Sequence, residues 1–172
     1  MSSTKKYLLD ANVFIQAKNQ YYAFTIFPGF WKSLIVENGR KSVFSIDRVS
    51  AELDKGSDEL ADWANDAAPE TFFKKTDDKA VFDWLTKILN WVQSEPQYTP
   101  EAKGLFAAGA DPWLIAYAKA NGLVLVTLEE PIPQAKRRVP IPNVCLEFDV
   151  KCVNTFEMLT EQQTHFVLAK RK

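Results

Sequence analysis

The sequence predicts an α/β domain built around a mainly parallel sheet. Short apolar runs alternate with amphipathic stretches of helical period, and the apolar runs are hydrophobic on both faces, as strands covered by helices on either side must be. At 172 residues the chain has one domain's length, and 1–172 is read as a single domain with no linker, internal repeat or low-complexity segment.

Tyr7–Leu9 is the first strand, ending on Asp10. Ser42–Ile46 (SVFSI) is the second, and Leu123–Thr127 (LVLVT), rich in β-branched residues, the third. Asp47–Asn65 reads as a helix through Val49, Leu53, Leu60 and Trp63 on one face, with Gly56 its weak point. Lys79–Val92 carries Val81, Trp84, Leu85, Ile88 and Leu89 on another helical face. Asp111–Asn121 has a start and a stop: Asp111 as N-cap, Pro112 at the first helical position, Gly122 just past the end. Four prolines, Pro131, Pro133, Pro140 and Pro142, make Glu130–Asn143 a stiff irregular loop. From Leu146 a further strand is expected, then a helix from about Asn154.

Composition narrows the chemistry. Hydrophobic residues make up 47% and charged residues 25%, enough apolar surface for a packed core. Twenty-one Lys plus Arg against twenty-two Asp plus Glu exclude nucleic-acid binding by bulk positive charge, though not by a local patch. The one histidine, His165, lies near the C-terminus, which removes His-rich zinc sites and disfavours Ser-His and Cys-His hydrolases. Two cysteines, Cys145 and Cys152, cannot form a disulfide framework and read as buried thiols of a reducing compartment. No apolar run approaches the roughly 18 to 20 residues of a membrane span, and Asp10 interrupts Tyr7-Leu8-Leu9 far short of a signal-peptide core. A cytoplasmic protein without membrane partners is the expectation.

The acids fall where strands end. Asp10 follows the first strand, Glu52 lies early in the helix after the second, Asp111 opens the helix before the third, and Glu129 follows that strand's end. Singly, each has an ordinary explanation: a helix cap for Asp111, a turn for Asp10, a solvated helix face for Glu52, loop charge for Glu129 and its neighbour Glu130. Together, a parallel sheet would bring them to one edge, where two like charges ~4 Å apart repel by several kcal/mol at a protein-surface dielectric. A compensating cation is then required. Oxygen donors without imidazole or thiolate select Mg²⁺ or Mn²⁺. A polyanionic ligand would need its own clamp, for which Lys136-Arg137-Arg138 is the best candidate, with Lys18 and Lys170-Arg171-Lys172 as lesser ones. The aromatic cluster Tyr21, Tyr22, Phe24, Phe27, Phe30 and Trp31 suits stacking on bases less well than it suits core packing.

Tyr7-Leu8-Leu9-Asp10-Ala11-Asn12 resembles the opening strand and turn of PIN-domain nucleases. Val49-Ser50-Ala51-Glu52-Leu53 is similar to their helix-borne Glu, Ala110-Asp111-Pro112-Trp113 to their third acidic motif, and Leu123 to Glu129 to their strand ending in Thr-x-acid. Ala17 to Trp31 and Ile141 to Cys145 look most like a PIN-like subgroup related to toxin ribonucleases of prokaryotic toxin–antitoxin systems. The resemblance implies a three-layer α/β/α fold and a metal-dependent endoribonuclease using one or two Mg²⁺ or Mn²⁺ ions. In that scheme Asp10 and Asp111 ligate directly, Glu52 and Glu129 ligate or hold metal waters, and Asn12 and Thr127 orient the site. RNA as substrate, a small antitoxin as partner and a homodimer follow from the same resemblance.

This sequence departs from the family in two places. The fourth acid is Glu rather than Asp, so Glu129 and Glu130 both stay open for that role, and Pro131 and Pro133 stand where a further Asp is common. A phosphatase of the type that uses Asp-x-Asp is excluded because the second position is Asn12, and no phosphate-binding glycine loop is present. The remaining rival is a PIN-like protein that binds or scaffolds without catalysis.

Overall fold

The computed structural model describes residues 5–170. Five parallel strands form one sheet in the order β3-β2-β1-β4-β5, with helices on both faces, giving the expected three-layer α/β/α architecture. The strands are β1 Tyr7–Leu9, β2 Val43–Ile46, β3 Phe73–Lys74, β4 Val124–Val126 and β5 Cys152–Val153. Nine α-helices among the described residues accompany them: α1 Ala11–Gln16, α2 Pro28–Gly39, α3 Asp47–Asp54, α4 Glu59–Asp62, α5 Lys79–Ser94, α6 Pro100–Ala108, α7 Asp111–Asn121, α8 Ile141–Glu147 and α9 Thr155–Glu161. No helix among the described residues is long and apolar enough to cross a membrane.

Every residue of β1 and β2 is buried, which is why neither shows polar–apolar alternation. Tyr7 pairs with Val43 on one side and Val124 on the other, so β1 is the central strand. The chain runs outward from β1 through β2 to β3, then returns to lay β4 and β5 on the opposite side. The order therefore reverses between β1 and β4, and the crevice beyond the carboxyl ends of those two strands is where such sheets take ligands.

Several expected elements differ in detail. The helix expected over Asp47–Asn65 breaks at Lys55-Gly56-Ser57, where Ser57 takes a left-handed φ of 47°, and resumes as α4 and a wide π turn over Trp63–Ala67. Asp58 caps the second piece, accepting from the backbone N–H groups of Leu60 and Ala61. In α7 the cap position belongs to Ala110, and Asp111 is the first helical residue with no capping hydrogen bond. Its far end is as expected: Gly122 adopts φ 63°, the left-handed stop that glycine takes without steric penalty. The proline-rich loop ends earlier than expected, because Pro140 caps α8 and Pro142 lies in its first turn, where a missing N–H costs nothing. Leu146 therefore ends a helix rather than starting a strand, and β5 is only Cys152–Val153. The helix expected near Asn154 is α9, begun by a capping box between Asn154 and Glu157.

The aromatic run is mostly core. Phe30 and Trp31 are buried, Tyr22 stacks on Phe30 and Phe24 on Trp31, while Tyr21 stands out, 56% exposed. Cys145 is buried and Cys152 half-buried, both as free thiols.

Candidate functional site

Asp10 leaves β1 at the strand-order reversal, where its backbone N–H donates to the Val126 carbonyl of β4 at 3.0 Å. Its side chain is 2% exposed. The neighbouring strand end supplies one donor: Thr127 Oγ1 gives a 3.0 Å hydrogen bond to Asp10 Oδ2. Among the described residues no cation pairs with it, and burial, opposed by that hydroxyl, pushes the carboxyl up to about 6, with Glu129 and Glu52 adding to the rise.

Asp111 faces the same crevice from the first turn of α7. Burial, then the charges of Asp10, Glu129 and Glu52, raise its carboxyl to about 7, with Arg138 acting weakly in the other direction. Mutual influence of this kind falls off quickly with distance, so the four acids singled out in the sequence do share one locality. Each is rooted in a different element. Glu52, on the second turn of α3, accepts the backbone N–H of Ala110 at 3.3 Å and so braces the entry to α7. Glu129 accepts the backbone N–H of Ile141 at 2.8 Å, at the start of α8, and pairs through its other oxygen with Arg138 at 3.0 Å.

Between the two candidates for the fourth acid, the structure separates Glu129 from Glu130. Glu129 acts on Asp10 and Asp111, whereas Glu130 is exposed. Asn12 lies on the surface of α1, and among the described residues no hydrogen bond joins it to Asp10; it lines an open cleft of about 510 Å³ shared with Gln16, Glu129 and Arg138. A larger cleft of about 760 Å³ meets the acids at Thr127 and Glu129, and runs past Tyr21, Cys145, Cys152 and Phe156.

The basic candidates divide. Arg138 reaches the acids, but through a pair with Glu129. Lys136 and Arg137 are exposed on the same loop, whose course is fixed by Thr99 N–H donating to the Lys136 carbonyl at 2.9 Å. Lys18 is committed to Asp58 and offers no free charge. Arg171 and Lys172 lie outside the described residues. Sequence reasoning passed over Arg48, on α3 one turn before Glu52, whose guanidinium lies 3.7 Å from the centroid of the Trp113 ring. A lone arginine between Asp47 and Val49 carries no motif; only the packing of α3 against α7's first turn marks it.

Among the described residues, no three His, Cys, Asp or Glu side chains stand as a ready ligand set for a metal ion. The reason is local: Glu129 has both oxygens engaged and Glu52 holds a backbone amide. The chemistry of the set nevertheless fits a hard divalent cation. All donors are oxygens, two carboxyls are raised above their ordinary range, chiefly by burial and further by one another's charge, and Arg138 is held by a single acid. Release of Arg138 from Glu129 would free that carboxylate.

No curated protein matches the sequence. A family model described as a domain of unknown function, DUF4411, covers residues 7–166, and the chain belongs to that family.

Proposed function

We propose that this protein is a PIN-like, Mg²⁺- or Mn²⁺-dependent endoribonuclease whose centre is the group Asp10, Glu52, Asp111 and Glu129. The observation that carries the reading is a pair of carboxyls at the strand-order reversal, Asp10 buried and Asp111 half-buried, that act on each other and are raised to about 6 and about 7. Groups held so far from their ordinary values in a crevice are functional candidates with a stated cause.

Asp10 and Asp111 would hold the ion. Its chemistry is activation of water and neutralisation of the charge that develops on phosphorus and the leaving oxygen. Thr127 fixes the Asp10 carboxylate by its 3.0 Å hydrogen bond, so that one oxygen is left to face the crevice. Glu52, held by the Ala110 amide, keeps α3 and the first turn of α7 in register. Arg138 guards the acids through Glu129 and, on releasing it, is placed to take a phosphate oxygen beside Lys136 and Arg137. On this reading the substrate is RNA, the restraining partner a small antitoxin, the assembly a homodimer and the compartment the cytoplasm.

The Arg138–Glu129 pair is the observation that favours the second reading, a PIN-like scaffold in which an exposed arginine paired with one of the acids stands in place of the metal. One experiment separates the two. Purified protein is incubated with total RNA in Mn²⁺ or in chelator, wild type beside Asp10→Asn. Cleavage by the wild type in Mn²⁺ alone, absent from Asp10→Asn, supports the nuclease. Cleavage unaltered by both changes rejects the assignment of the site, and RNA retention without cleavage by either protein favours the scaffold.

A further inference from the structure

Arg48, one helical turn from Glu52, pairs with no carboxylate among the described residues. Its helix neighbour Asp47 is engaged elsewhere: Oδ1 accepts the Thr76 hydroxyl at 2.9 Å and the Arg48 backbone N–H at 2.9 Å, and Oδ2 accepts the Thr76 backbone N–H at 3.2 Å, so that it meets the Arg48 side chain only through the Thr76 hydroxyl. Glu52, one turn along α3, is engaged by Ala110. Among the described residues no ion pair reaches the Arg48 guanidinium; it lies over the Trp113 ring, 3.7 Å from its centroid, with Nε 3.5 Å from Thr76 Oγ1. The edge of Trp113 is itself packed by Phe82, ring centroids 5.6 Å apart. The fork is thus oriented by a ring and a hydroxyl while its terminal N–H groups remain available, and the residue as a whole is exposed.

Position gives this orientation meaning. Arg48 lies on α3 four residues before Glu52, a separation of ~6 Å along the helix on one face. Trp113 lies two residues past Asp111 in the first turn of α7. The stack is therefore built from the two helices that carry two of the four acids. A planar, always-charged, five-donor group held against an aromatic ring suits a phosphate's paired oxygens better than a flexible ammonium would.

We propose that Arg48, laid on Trp113, is a phosphate-binding residue that grips the nucleic-acid backbone on the α3–α7 side of the acidic centre, adjoining the bond to be cut. This rests on the nuclease reading. It adds a second backbone contact, so that the strand would cross the acids between Arg48 and Arg138.

The test uses the full chain and a labelled single-stranded RNA. Binding is followed by fluorescence anisotropy in chelator over a salt series, and cleavage in Mn²⁺. Arg48→Gln retains a stem to cover Trp113 while removing the charge. The expected result is a KM raised about tenfold with kcat within about twofold, and a log–log salt slope shallower by ~0.7, the value for one phosphate contact on a single strand. Arg48→Lys should restore the slope but only part of the KM, since it brings charge without the fork. Melting temperatures, with Arg48→Ala alongside, report the packing role separately. An unchanged slope and KM in Arg48→Gln, with cleavage still lost in Asp10→Asn, overturns Arg48 and leaves the nuclease standing. A wild type that neither binds nor cuts RNA overturns both.

Discussion

Replacing Asp111 by Asn should make the metal-free protein more stable at alkaline pH, against the usual expectation for a residue in the first turn of a helix. The Asp111 carboxyl rises from 3.8 to about 7, chiefly by burial and then by the charges of Asp10, Glu129 and Glu52. A carboxyl whose folded pKa exceeds its unfolded value keeps a proton in the folded state that the unfolded chain has released. Stability is therefore lost as pH climbs from about 4 to about 7, and the full penalty applies above that. At 1.36 kcal/mol per pKa unit, three units set a ceiling of about 4 kcal/mol at pH 8. Partial exposure and the lost attraction of a first-turn acid for the helix N-terminus, ~0.3–1 kcal/mol, bring the expected gain to about 2 kcal/mol. For a chain of this length that is a rise of roughly 4–8 °C in Tm. Thermal melts in chelator at pH 8 and pH 4.5 provide the assay. At pH 4.5 the gain should shrink to about a quarter, because only the interval just above 3.8 has then been crossed. A loss of about 1 kcal/mol at both pH values, the signature of a removed cap, would refute the electrostatic account. Mg²⁺ should raise the Tm of the wild type at pH 8 and do so less for the variant.

Two further substitutions probe the set around it. Thr127→Val removes the hydroxyl that holds Asp10 down, so the Asp10 carboxyl should titrate above its present value of about 6, with ~1–3 kcal/mol of stability lost at neutral pH; a carbon-detected NMR titration showing no movement of Asp10 would remove Thr127 from the site. Glu129→Gln should lower the titrations of both Asp10 and Asp111 and impair Mn²⁺-dependent cleavage, whereas Glu130→Gln should do neither; the opposite pattern would transfer the fourth acidic role to Glu130.

How far the sequence could be read depended on whether an element's signal was local. β1 and β4 are uninterrupted apolar runs, β2 is broken only by the buried Ser45, and α5 has one apolar face, through Val81, Leu85, Ile88 and Val92, so pattern alone located them. β3 and β5 have two residues each, too few for any periodicity, and exist only because β2 and β4 offer them free edges. α2 hides its period, since Phe30, Trp31 and Leu34 point inward while the equally apolar Val36 is 52% exposed. α6 did carry a start signal, Thr99 capping Ala102 with Pro100 at the first position, but in a helix whose Leu105 is 74% exposed. α8 was obscured by Pro140 and Pro142, read as loop residues where they are the opening of a helix. The acids were legible from their places beside strands. That Glu129 is fastened to Ile141, and that Arg48 meets Trp113, depends on contacts between segments far apart in the chain.

The fastening of the acids bears on why repulsion among them persists. Free side chains would swing apart and relieve it, as exposed carboxylates do at little cost. Here Asp10 is tied to β4 by Thr127, Glu52 to the head of α7 by Ala110, and Glu129 to the head of α8 by Ile141. Each tie uses a donor fixed by secondary structure, so a shift of any one carboxylate would orphan a hydrogen-bonding group near the sheet edge. Among the described residues Asp111 has no such tie, and it carries the greater rise. Of the two least compensated acids, Asp111 is thus the one free to turn toward an incoming cation, and Asp10 the one already aimed. Cation binding at this edge should accordingly displace protons from both, so its apparent affinity should climb between pH 6 and pH 8. An affinity for Mn²⁺ that is flat across that interval would mean that the ion, if bound, is held elsewhere.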